Sequence, residues 1–112
     1  MINYNKYGNK KTIVDGIKFD SIKEANRYQE LKLLARGGLV NELELQPRFE
    51  LQTGFTRKGK KIRKIEYVAD FRYVNEKGIE IIEDVKGMLT DIYRLKRKLF
   101  LYKYPYLEFN EV

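Results

Sequence analysis

At 112 residues, with 43% hydrophobic and 13% aromatic side chains, the chain suits a single domain around one modest core and is too apolar for a disordered segment. It contains neither cysteine nor histidine, which excludes disulfides, cysteine–histidine zinc sites and any mechanism built on an imidazole base. Lysine and arginine outnumber aspartate and glutamate by 23 to 16, and the net charge of +7 favours a polyanionic partner.

Met1 to Lys11, MINYNKYGNKK, lacks the apolar stretch of a signal peptide, and no apolar run approaches the ~20 residues that cross a bilayer. A cytoplasmic protein without a membrane partner is expected. Thr12 to Phe19, TIVDGIKF, reads as two short strands around Asp15-Gly16, a dipeptide suited to a type I′ hairpin turn. Ser21 with Glu24 three residues on matches a capping box. Ile22, Ala25, Tyr28 or Gln29, Leu31 or Lys32 and Leu34 or Ala35 set an apolar stripe that Gly37-Gly38 closes, so a helix is predicted over Ile22–Arg36.

Leu43 to Leu51, LELQPRFEL, alternates as a strand, with Pro47 marking an edge or a bulge. The basic, glycine-containing segment after it reads as a long hairpin arm. Ile65 to Val74, IEYVADFRYV, is the strongest strand by β-branched and aromatic content. Asn75 to Gly78, NEKG, is a turn, and Ile79 to Lys86 is the next strand. Thr90 caps a second helix whose expected apolar face is Ile92, Leu95, Leu99 and Tyr102; Pro105 ends it, and Tyr106 to Val112 forms a last strand. The predicted order is a small hairpin followed by α-β-β-β-α-β, an α/β fold with an antiparallel meander and one crossover helix.

The positive charge is concentrated. Gln52 to Lys64 carries Arg57, Lys58, Lys60, Lys61, Arg63 and Lys64 and no acid; Lys86 to Tyr104 carries Lys86, Arg94, Lys96, Arg97, Lys98 and Lys103 against Asp91 alone. The remainder of the chain is net negative. Two basic clusters on an otherwise acidic chain point to nucleic-acid phosphates, with contacts that orient without reading sequence.

The chemistry-bearing stretch is IIEDVKG, Ile81 to Gly87. Strand alternation places Asp84 and Lys86 on one face and Glu83 on the other with Ile81 and Val85. Pairing across the NEKG turn brings Val74 near Ile79 or Glu80 and Asp70 roughly opposite Asp84. Two carboxylates beside a lysine suit a hard cation such as Mg²⁺ or Mn²⁺, which is held by one or two carboxylates with water and phosphate completing its shell. Such a site can polarise a phosphodiester and activate water. Taken alone, Asp84-Val85-Lys86 is equally a cross-strand ion pair at a wet sheet end.

The combination of VADF (Val68 to Phe71), Asp84-Val85-Lys86, a glutamate on the first helix and the α-β-β-β-α-β order resembles the PD-(D/E)XK nuclease superfamily. The likeness is nearest to a family of small phage-encoded proteins with FDS…EA…Y…L, LQPRF, Y.ADF and EDVKG, and it runs from about Thr12 to Val112. It implies a restriction-endonuclease-like core and a metal-dependent endodeoxyribonuclease acting in phage recombination or repair within a bacterial host cell, on branched DNA, as a homodimer. Glu24, Asp70, Asp84 and Lys86 would be catalytic, with Asp70, Asp84, Glu24 and Val85 assigned to the metal. Arg57, Lys58, Lys60, Lys61, Arg63, Lys64, Arg94, Arg97 and Lys98 would contact DNA. Ala69 stands where the superfamily has proline before its first acid. Glu24 has a competing role in the helix cap, Glu30 is the other helix carboxylate that could approach, and Gln46 could meet a phosphate or a metal-bound water. Tyr28, Tyr67 and Tyr73 read as packing residues. The alternative is a non-catalytic nucleic-acid-binding accessory protein; an RNA-acting nuclease also stays open.

Overall fold

The structure is a computed structural model that describes residues 11–85 and 89–112. Strands β1 (Thr12–Val14) and β2 (Ile17–Phe19) pair antiparallel, and the turn between them places Asp15 at φ 53° and Gly16 at φ 75°, as a type I′ turn requires. Helix α1 (Ile22–Arg36) has the predicted bounds, and the Ser21 hydroxyl accepts from the Glu24 N–H at 3.1 Å. Beyond it, Gly38 rather than Gly37 takes the left-handed conformation, at φ 78°.

Two expected strands are each broken in the middle. Leu43 to Leu51 divides between β3 (Val40–Leu45) and β4 (Arg48–Gln52), and Ile65 to Val74 divides between β7 (Ile65–Val68) and β8 (Phe71–Asn75). Pro47 has no N–H to continue a ladder, and Gln46 before it sits at φ 51°. The two breaks are joined: Gln46 N–H donates to the Asp70 carbonyl at 2.9 Å, and Ala69 N–H to the Pro47 carbonyl at 3.1 Å. One bent ribbon therefore leaves the main sheet as β4–β7. Beyond that pair lies the arm β5 (Phe55–Arg57) and β6 (Lys60–Ile62), closed by Lys58 at φ 50° and Gly59 at φ 77°.

After the Asn75 turn comes β9 (Glu80–Asp84), then α2 (Asp91–Lys103), capped by the Thr90 hydroxyl, and β10 (Glu108–Glu111). The four-stranded sheet runs β10-β9-β8-β3, antiparallel except for the parallel pair β9–β10 that α2 connects. The result is a mixed α/β fold with two helices and several sheets. Alternation along β9 sends Ile81 and Val85 into the core beneath α1, with Phe19, Ala25, Tyr28, Leu31 and Phe71. Ile82 enters a second, mostly aromatic core with Phe49, Tyr67, Tyr93 and Phe100 beneath α2. Among the described residues no helix is long and apolar enough to cross a membrane.

The buried face of α2 is not the expected one. Ile92 is 69% and Tyr102 87% exposed, with Leu95 and Leu99 also in solvent, whereas Tyr93 and Phe100 are buried. Two apolar stripes at helical spacing compete here, and the aromatic one wins because its rings interlock with Phe49, Tyr67 and Phe109. Phe100→Ala is expected to lose about 3–5 kcal/mol of unfolding free energy and Leu99→Ala under about 1 kcal/mol, read from urea midpoints of the two variants. Equal losses would restore the aliphatic stripe as the packed face.

Candidate functional site

Strand register places the acids. Val74 pairs with Glu80 and Phe71 with Glu83, so the same ladder sets Asp70 opposite Asp84, and Asp70 N–H donates to the Glu83 carbonyl at 3.1 Å. Asp84 lies at the end of β9 with no measurable exposure, its carboxylate accepting a hydrogen bond from the Tyr67 hydroxyl. Asp70 sits at the break between β7 and β8, where its Oδ2 accepts from the Val85 N–H at 2.7 Å. The Asp84 carboxyl is near enough to act on that of Asp70 electrostatically.

This pairing perturbs the Asp70 acid strongly. Burial pushes its pKa up to about 8, helped by the hydrogen bond and negative charge of Asp84 and, more weakly, by the charge of Glu24; the Val85 N–H acts in the opposite sense. Glu24 is itself buried, although it lies in the first turn of α1. It lines a cleft of about 140 Å³ with Ile17, Lys18, Phe19, Leu45, Gln46 and Asp70. The backbone half of the Ser21 cap forms, so Glu24 serves the helix start through its N–H and the cleft through its carboxylate.

The donor set suits a hard divalent cation. Among the described residues no three acidic side chains form a ready-made cage, but Mg²⁺ and Mn²⁺ need only one or two carboxylates when water and phosphate fill the remaining positions. Asp70 and Asp84 could supply two, with Glu24 on the cleft that Asp70 lines and the Val85 main chain beside Asp70. Lys86 lies outside the described residues.

Other expected residues take different places. Glu30 does not reach the cleft; it pairs with Arg27 at 2.9 Å on the exposed side of α1. Glu83 points to the α1 face, where Arg27 and Tyr73 bind it. Arg57, Lys58, Lys60, Lys61, Arg63 and Lys64 are all exposed on the arm, Lys64 reaching Glu66 at 3.6 Å. On α2, Lys98 and Arg94 are exposed, Arg94 lying 3.6 Å from Asp91. Arg97 is engaged internally: it donates to both Glu111 oxygens at 2.8 Å and covers the Tyr93 ring, which makes it a weak candidate for phosphate. The phenols of Tyr67 and Tyr73, read from sequence as packing, each donate to a buried acid, and the signal for this was the presence of Glu83-Asp84 inside an apolar strand. Lys18 at the cleft rim had no sequence signal.

Over residues 4–112 the chain matches the family described as protein of unknown function (DUF1064). It belongs to that family. No curated protein and no solved structure matches it.

Because folded Asp70 keeps its proton to about pH 8 while the unfolded carboxyl loses it near 3.8, the native state holds the extra proton across that interval. Stability of the metal-free chain is therefore expected to fall as pH rises from about 4 to about 8. Asp70→Asn, which keeps the hydrogen bond without the charge, should flatten that slope. Melting curves in chelator at several pH values check it, and a wild-type stability that rises through this window would contradict the raised Asp70 pKa.

Proposed function

We propose that this chain is a metal-dependent endodeoxyribonuclease with a PD-(D/E)XK-type site, selective for DNA structure rather than sequence. The observation that carries the proposal is the register that sets Asp70 opposite Asp84 at the end of β9, with Glu24 lining the cleft that Asp70 also lines. The element order supports it: after the β1–β2 hairpin come a helix, the bent β3–β4, β7–β8 and β9, then a crossover helix and a strand parallel to β9. This is the order that the resemblance implies for a restriction-endonuclease-like core.

A bound Mg²⁺ or Mn²⁺ would supply Lewis-acid polarisation of the scissile phosphate and lower the pKa of a water ligand. The chain's own groups do the rest. Asp70 gives up the proton that burial favours and holds the cation's charge together with Asp84; Tyr67 fixes one Asp84 oxygen through its hydroxyl. Glu24 adds negative charge from α1 and orients water. Lys86, which the resemblance assigns to catalysis, would assist attack by offsetting charge as the transition state forms. Lys18 and Gln46 stand at the rim where a phosphate would enter.

Arg57, Lys58, Lys60, Lys61 and Arg63 on the arm, with Lys98 and Arg94 on α2, would grip backbone phosphates outside the cleft. A two-stranded ribbon is also of a size that the major groove admits. Each phosphate contact removed should lower the salt dependence of binding by about one unit, so Lys60→Ala/Lys61→Ala is expected to weaken all DNA substrates alike. The homodimer that the resemblance implies would have a surface available in the exposed stripe Ile92, Leu95, Leu99 and Tyr102.

The deciding experiment incubates linear, nicked, flapped and four-way DNA, with an RNA duplex alongside, in Mg²⁺, Mn²⁺ or chelator. Cleavage of DNA only with metal is expected, and Asp84→Ala should lose at least about 10²-fold in rate, the scale for removing one electrostatic stabiliser, while still binding DNA. Undiminished cleavage by Asp70→Ala/Asp84→Ala would remove this site from consideration. DNA binding without metal-dependent cleavage by the intact chain would instead support the accessory-protein reading.

A further inference from the structure

Arg27 was not singled out by the sequence, and Glu83 read only as a residue of the opposite face. In the fold they form the most enclosed charge pair among the described residues. Glu83 is 1% exposed; its Oε1 accepts from Arg27 Nε at 2.8 Å and its Oε2 from Arg27 Nη2 at 2.6 Å. The Tyr73 hydroxyl donates to the same Oε2, and Arg27 Nη1 is steadied by Glu30 at 2.9 Å. The Glu83 hydrogen bond raises the Arg27 pKa above its usual value, and burial with the charge of Glu83 pushes the Tyr73 phenol up to about 12.

A buried ion pair is a poor source of stability, since packed apolar residues often serve as well or better. What a two-pronged arginine–carboxylate contact supplies is fixed geometry. The two elements it joins are those that carry the acids. Arg27 is three residues beyond Glu24, on an adjacent row of α1. Glu83 directly precedes Asp84, pairs with Phe71, and accepts the Asp70 N–H at its carbonyl. The contacts of α1 are made chiefly with β1, β2 and β3, so β9 is reached across the sheet. Apolar contacts of Ala25, Tyr28 and Leu31 seat the helix on the core, and the fork adds a directional constraint between α1 and β9.

We propose that Arg27 and Glu83, closed by the Tyr73 hydroxyl, are positioning residues that set Glu24 on α1 against Asp70 and Asp84 on the sheet. Neither side chain touches the cleft. Their effect passes through the helix and strand on which the acids are mounted, as supporting residues do for metal ligands elsewhere. This inference rests on the metal-site reading given above.

The test measures Mn²⁺ affinity by calorimetry and thermal melting on the full chain, for wild type, Glu83→Gln, Arg27→Lys, Asp70→Asn and Leu34→Ala. Glu83→Gln keeps shape and acceptor, and Arg27→Lys keeps charge but not the fork; each is expected to weaken Mn²⁺ about tenfold, the lower end for loss of a supporting contact. On DNA both should lower kcat and leave KM unchanged. Leu34→Ala, on the same helix and packed against the same core, should lower the melting temperature without changing Mn²⁺ affinity. If Glu83→Gln and Arg27→Lys bind Mn²⁺ as wild type does, or lose affinity only in proportion to melting temperature as Leu34→Ala does, the positioning role is overturned while the metal site stands. If wild type binds no Mn²⁺, or Asp70→Asn binds it equally, the metal-site reading falls and this inference with it.

Discussion

Two strands bend together because of a pair of main-chain hydrogen bonds, Gln46 to Asp70 and Ala69 to Pro47. Pro47 ends the ladder of β3 by lacking a donor, and Gln46 accepts a left-handed conformation that costs on the order of 1 kcal/mol for a residue of its kind. A straight β7–β8 would place Asp70 among its alternating neighbours Val68 and Arg72 on the sheet surface. The bend instead brings its carboxyl to the boundary between the two faces, where Glu24 from α1 and Asp84 from β9 meet it. The same bend carries β4 and β7 out of the main sheet and projects the cationic arm. Site and arm are thus two consequences of one interruption.

The puzzle of consecutive acids in a buried strand has a physical answer in alternation. Glu83 and Asp84 face opposite sides of the sheet, and each finds a tyrosine hydroxyl waiting there: Tyr73 beneath α1 and Tyr67 beneath α2. A buried carboxylate without donors would cost several kcal/mol. Glu83 is further neutralised by Arg27, whereas Asp84 turns to the Asp70 carboxyl. One acid is clamped by a cation and the other faces a second acid, which is a division of labour between structure and chemistry.

How much of this could be read from the residues depends on the range over which each signal acts. Local signals were legible: Asp15-Gly16 and its turn, the Ser21 cap, the bounds of α1, and a partner for Val74 that the short turn narrows to Ile79 or Glu80, of which the ladder takes Glu80. Asp70 opposite Asp84 was legible for the same reason, because register propagates along a ladder without further information. The strand breaks were only hinted at by Pro47, since Ala69-Asp70 carries no breaking residue and bends because its partner does. The packed face of α2 was misjudged because periodicity cannot rank two stripes; which of them is buried depends on Phe49, Tyr67 and Phe109, far away in sequence. The roles of Tyr67, Tyr73 and Arg27 lie beyond pattern altogether, because a hydroxyl or guanidinium reads the same whether it meets an acid or water.

Electrostatics ties the cleft to the arm. A polyanion approaching three clustered carboxyls would be repelled if all were ionised, yet the chain as a whole carries +7 and places much of that charge on the exposed arm and α2. Burial holds a proton on Asp70 up to about pH 8, which lowers the negative charge that a polyanion meets at the cleft. With two carboxylates rather than a closed cage, the protein by itself offers a divalent cation few of the ligands it needs, and the missing ones are oxygens of water and phosphate. On the proposed reading the free chain would bind the cation measurably but weakly, and nucleic acid would tighten it. The weakness of the acidic site taken alone then becomes a source of selectivity, since cation and phosphate each complete the binding site of the other.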